Sequence, residues 1–78
     1  MNFTIYSKEN CQYCHKIKKV LELTGSNFVV YNLEEHFTAD EFYAEFGEGS
    51  TFPQVICNDK KLGGASETVK FLQENHIV

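Results

Sequence analysis

A chain of 78 residues with seven phenylalanines, four tyrosines and 42% hydrophobic residues is short enough to be one domain, 1–78, and apolar enough to bury a core. Eleven acidic residues against seven lysines, with no arginine, give a net charge of −4 and argue against nucleic acid as a partner. Three cysteines are an odd number, which excludes the dense even disulfide framework of small secreted domains and points to a reducing compartment. The opening residues MNFTIYSKEN lack a basic start followed by an apolar run, and no segment approaches the roughly 18 apolar residues that span a bilayer. A soluble, cytoplasmic protein without a membrane partner is expected. Between Lys19 and Lys60 there are eight acidic residues and no lysine, which reads as a solvated acidic face or as a surface for docking a partner.

Taken in chain order, residues 3 to 6, FTIY, are rich in β-formers and predict a short strand. From Asn10 onwards Cys14, Ile17, Val20, Leu21 and Thr24 recur at three- and four-residue steps, with His15, Lys16, Lys18, Lys19 and Glu22 mostly outside. That pattern predicts an amphipathic helix, which Gly25 can end. NFVVYNL, residues 27 to 33, is a near-continuous apolar run with β-branched valines, as expected of a strand buried on both faces. Thr38 and Glu41 have the spacing of a capping box, so TADEFYAEF predicts a second short helix finished by GEGS. QVIC then predicts a strand, ND a turn and KKL the returning strand of a hairpin. After Gly63 and Gly64 a last helix is expected from about Ser66, with Val69 and Leu72 on its inner face. The order β-α-β-α-β-β-α implies an α/β, thioredoxin-like fold: a four-stranded mixed sheet flanked by three helices on its two faces.

The stretch CQYCH, residues 11 to 15, admits zinc binding, haem attachment or a redox couple. Structural zinc needs four ligands, usually as two close pairs. Only one pair exists here, Cys57 falls in a predicted strand, and His15, His36 and His76 share no short spacing. Haem attachment needs an exporting compartment and generally a second axial ligand, and the only methionine is Met1. No metal is therefore expected. The redox reading gains from position, because a strand and a loop deliver Cys11 to the start of a helix with Cys14 one turn further in. There the unpaired backbone N–H groups and the helix dipole stabilise a thiolate on Cys11 and lower its pKa from the ordinary thiol value. Cys11, at the exposed end, would attack, and Cys14, facing the sheet, would resolve the mixed disulfide. Lys8 adds positive charge nearby and Tyr13 an aromatic wall. Cys57 reads as an inert core residue.

With YSKENCQYC, TFPQV and LGGASE in this order, the chain resembles a glutaredoxin over nearly its whole length, in particular the small dithiol glutaredoxins of bacteria and their phages. The resemblance implies a cis peptide bond before Pro53, with Phe52 offering its backbone N–H and C=O to the cysteine part of glutathione and Thr51 completing the T-x-P motif. It implies that Lys8 meets the glycine carboxylate of glutathione, and that Gly64, Ala65 and Ser66 bind the γ-glutamyl end, where a helix start presents N–H groups to an anion. Three positions depart from the family's usual residues. Gln12 replaces the common proline between the cysteines, Phe52 stands for valine with a ring that either crowds or extends the groove, and Ser66 replaces an aspartate. A plain helix N-cap is the other reading of Ser66.

The resulting expectation is a monomeric glutathione-disulfide oxidoreductase, with glutathione as co-substrate, no tightly bound cofactor, and protein disulfides as clients. Ribonucleotide reductase is a client that the resemblance suggests. Two other readings keep the same cysteines: a thioredoxin-like electron carrier reduced by a flavoprotein reductase, and a glutathione-dependent iron–sulfur-binding module.

Overall fold

A computed structural model describes residues 1–77. Its elements are β1 (Asn2–Ser7), α1 (Gln12–Leu23), β2 (Asn27–Asn32), α2 (Ala39–Phe46), β3 (Gln54–Cys57), β4 (Lys60–Gly63) and α3 (Ala65–Glu74). The four strands form one mixed sheet in the order β2-β1-β3-β4. β1 runs parallel to β2 and antiparallel to β3, and β3 pairs antiparallel with β4 across the Asn58-Asp59 turn. This is the thioredoxin-like layout expected from the sequence, with every predicted element present in the predicted order.

Alternation along β1 sorts the sheet into two faces. Phe3, Ile5 and Ser7 are buried, and with Val55 and Cys57 of β3 they form the face on which α1 places Ile17 and Leu21 and α3 places Leu72. Val69 packs against this core from its border, and Thr68 rather than Val69 is fully buried on α3. Tyr6 points to the opposite face, where α2 brings an aromatic cluster: Tyr6 lies 5.0 Å from Phe46 and 5.1 Å from Phe37 between ring centroids. Phe42 stacks on Phe52 at 4.1 Å with the rings 12° apart. The capping box of α2 is formed as predicted. Glu41 N–H donates to the Thr38 hydroxyl at 3.2 Å, and Thr38 N–H to the Glu41 carboxylate at 2.8 Å.

Two expectations are corrected. β2 is an outer strand and is not buried on both faces, because the far side of its apolar run is covered only at Tyr31, by Tyr6 and His36. Phe28 and Val30 pack against the core, while Val29 is 51% and Tyr31 41% exposed. α1 starts at Gln12, later than the apolar spacing from Asn10 implied, because Asn10 takes a positive φ of 55° that cannot continue a right-handed helix.

Removing the Phe42 ring breaks its contacts with the rings of Phe37, Tyr43, Phe46 and Phe52. Phe42→Ala should lower stability by about 3 kcal/mol, and Thr38→Ala, which leaves the Glu41 N–H unpaired, by about 1 kcal/mol. Urea denaturation followed by far-UV circular dichroism measures both.

Candidate active site

The left-handed turn at Asn10 delivers Cys11 in extended conformation to the N-cap of α1, where its sulfur accepts the Cys14 N–H at 3.2 Å. Sulfur thus takes the place that a serine or aspartate oxygen usually fills. The first turn of α1 carries no acidic side chain, so nothing within it offsets the positive end of the helix dipole. Cys11 and Cys14 are joined as a disulfide with their Cα atoms 5.2 Å apart. Cys14 is 1% exposed, whereas Cys11 is half-buried and opens to the surface.

Two hollows lie at the start of α1, one lined by Cys11 and the other by Tyr13. One, of about 590 Å³, carries the Cys11 side of the helix start together with Lys8, His15 and Lys18, balanced by Glu9 and Glu35. The other, of about 420 Å³, runs between Tyr13 and the loop Thr51-Phe52-Pro53 to the start of α3, where Gly64, Ala65, Ser66 and Glu67 close it. The Phe52–Pro53 peptide is cis, as the family resemblance implied. Lys8 Nζ lies 5.3 Å from the centre of the Phe52 ring and so stands between the two hollows. Seven residues expected to contact glutathione therefore line one groove, and the eighth, Lys8, sits over its wall.

The structure also answers what the Phe52 ring does. It stacks on Phe42 and Phe37, so it belongs to the aromatic cluster of α2 and to the groove wall at once. The N-cap reading of Ser66 is corrected. Gly64 occupies the cap, in extended conformation, and Ser66 is the second helical residue. Its hydroxyl donates to Glu67 Oε2 at 3.3 Å, and Glu67 Oε1 accepts the Gly64 N–H at 2.8 Å. Glu67 is the residue that the sequence reading missed, and it brings a negative charge to the end of the groove where Ser66 lacks one. Its signal was its place three residues after the cap, legible once the helix is known to begin at Ala65. Gly63 is held at φ 111°, and a Cβ there would lie 3.0 Å from Glu67 Cγ, so a larger residue would displace this carboxylate.

Cys57 is buried in β3 inside the core cluster, and burial pushes its thiol up, opposed in part by the chain's N-terminal amine and Lys60. Tyr6 is likewise raised, first by burial and then by Glu45 and Tyr31. Among the described residues, no three His, Cys, Asp or Glu side chains come together to hold a metal ion.

The glutaredoxin family model matches residues 3–62. The chain belongs to the glutaredoxin family. It is 30% identical over 77 residues to glutaredoxin-C6 of Oryza sativa subsp. japonica, covering 95% of this chain and 69% of that protein. Its fold is similar to that of reduced Escherichia coli glutaredoxin, with a TM-score of 0.84 at 19% identity over 100% of both chains. It is also similar in fold to buckwheat glutaredoxin in complex with glutathione, with a TM-score of 0.80 at 22% identity over 96% of this chain and 71% of that one. Membership makes the chain a thiol–disulfide oxidoreductase, and of its cysteine pair Cys11 opens to the surface while Cys14 is buried.

After reduction, a small alkylating reagent at neutral pH should modify Cys11 first and leave Cys57 untouched until the protein is unfolded, as peptide mass mapping would show. Cys57 and Tyr6 both hold their protons more tightly when folded, above their ordinary values of 9.0 and 10.0. Their contribution to stability is therefore full below the unfolded values and is lost as pH rises through the raised ones. The urea midpoint of the oxidised protein should fall between about pH 8 and about pH 10.5, and less so in Cys57→Ala.

Proposed function

We propose that this glutaredoxin reduces glutathione mixed disulfides and protein disulfides at the expense of glutathione. The observation that carries the reading is the convergence of Tyr13, two residues after Cys11 in the first turn of α1, the Thr51-Phe52-Pro53 loop and the start of α3 on one groove. The groove's chemistry suits a tripeptide with two carboxylates and one ammonium. Lys8 offers a cation to the glycine carboxylate, and the free N–H groups of Ala65 and Ser66 offer a helix start to the γ-glutamyl carboxylate. Glu67, with the Ser66 hydroxyl, supplies the charge for the ammonium. Phe52 presents backbone groups that pair with an extended peptide without reading its side chains.

The reaction follows from which sulfur is reachable. On a glutathione mixed disulfide, the Cys11 thiolate attacks the glutathione sulfur, a Cys11–glutathione disulfide forms, and the client thiolate leaves. The thiolate of a second glutathione then attacks the glutathione sulfur of that adduct, giving oxidised glutathione and free Cys11. On a protein disulfide, Cys11 forms a mixed disulfide with one client sulfur and releases the other. Cys14 then attacks Cys11, closes the Cys11–Cys14 disulfide seen here, and frees the client. Two glutathiones restore the dithiol.

Turnover of a glutathionylated substrate, coupled to NADPH through glutathione reductase, tests the reading. Cys11→Ser should abolish all activity, whereas Cys14→Ser should keep turnover of glutathione mixed disulfides and lose that of protein disulfides. A Cys14→Ser variant dead on both would favour the electron-carrier reading. Lys8→Ala should raise the apparent KM for the glutathionylated substrate about fivefold with kcat little changed, and Glu67→Gln, which keeps the helix cap, about two- to threefold. An unchanged KM in either variant removes that residue from the glutathione site.

A further inference from the structure

The aromatic face of α2 carries a second groove, of about 800 Å³, that the proposed reaction does not use. It lies between the outer strand β2 and α2. Its floor is Tyr6, Tyr31 and Phe37, with Tyr6 5.7 Å from Tyr31 and 5.1 Å from Phe37, and its rim is Glu35, Glu41 and Glu45. Among the described residues only Glu45 has a cation at ion-pair distance, Lys61 at 3.3 Å. Glu41 accepts the Thr38 N–H, which uses a lone pair and leaves its charge. The groove therefore combines π-faces with carboxylates in excess of cations, and it draws on the acidic stretch between Lys19 and Lys60.

A solvated acidic face needs no aromatic floor, whereas a lysine or arginine side chain is served by both parts. Its aliphatic stem covers ring surface, its charge lies over a π-face, and carboxylates surround the head. The chain makes the same contact internally, with Lys61 Nζ 5.4 Å from the Phe46 ring and Lys16 Nζ 5.2 Å from that of Tyr13. The groove is also continuous with the catalytic surface, because Glu35 borders both it and the hollow that contains Cys11. We propose that this groove docks a basic segment of a protein disulfide substrate, seating a Lys or Arg side chain over Tyr31 and Tyr6 between Glu35, Glu41 and Glu45 while the disulfide reaches Cys11. The proposal rests on the reading that protein disulfides are substrates, and names the segment they present.

Binding is tested apart from turnover by titrating the oxidised, ¹⁵N-labelled protein with a cysteine-free Lys/Arg hexapeptide and with its Glu counterpart. The basic peptide should shift the amide signals of Tyr31, Glu35, Phe37 and Glu41, and less so at about 200 mM than at about 20 mM salt. Tyr31→Ala and Glu41→Gln, the latter keeping the α2 cap, should each weaken Kd about two- to fivefold. No shift at these residues, or equal shifts with the acidic peptide, overturns the proposal. In turnover, a disulfide peptide with a basic flank should exceed its acid-flanked twin in kcat/KM and lose that advantage in Tyr31→Ala, with reduction of a small glutathione mixed disulfide unchanged. Equal rates for the two peptides overturn the docking role alone. Reduction of the small mixed disulfide with neither peptide reduced overturns the protein-disulfide reading beneath it.

Discussion

The hydrogen bond from the Cys14 N–H to the Cys11 sulfur sets the layout of the site. It makes the outer sulfur the cap of the helix, so whatever fixes the start of α1 also fixes the position of that sulfur. That start is fixed from two sides. β1 holds the central place in the sheet and ends at Ser7, and Cys14, Ile17 and Leu21 anchor the helix to the core. The four residues between can then only turn, and Asn10 turns them in the left-handed sense.

Much of this was legible because local signals and tertiary demands agree. Thr38 and Glu41 announced a capping box that the structure forms, and the alternation of QVIC matched a strand with Val55 and Cys57 inward. Where the two diverged, a tertiary fact was missing. NFVVYNL has the composition of an interior strand, yet strand order puts it outermost, and period alone carries no strand order. The cis geometry at Pro53 came from family resemblance, since local sequence favours the trans form. Glu67 escaped notice because the start of α3 was placed one residue late, and a capping residue is recognisable only relative to its cap.

The two faces of the molecule divide labour by composition. Phe3, Ile5, Leu21 and Leu72 build the core with aliphatic and aromatic bulk under α1 and α3. The α2 face is held almost wholly by aromatic rings, and Phe52 ties that cluster to the groove that Tyr13 and the start of α3 line. An aromatic at this position therefore makes the groove wall answerable to the packing of α2. Lys8, poised over the same ring, shares that dependence.

Burial also differs sharply across the disulfide, with Cys14 sealed beneath the helix and Cys11 facing outward. An approaching thiolate meets a door with one handle. It must strike Cys11, and the sulfur it expels is always the inner one, which stays within arm's length of whatever has just been attached. Any adduct on Cys11, a trapped client or an early oxidation product, is thus born next to the group able to eject it. Closing the Cys11–Cys14 disulfide takes the outer sulfur off the path from sulfenic acid to the irreversible acids.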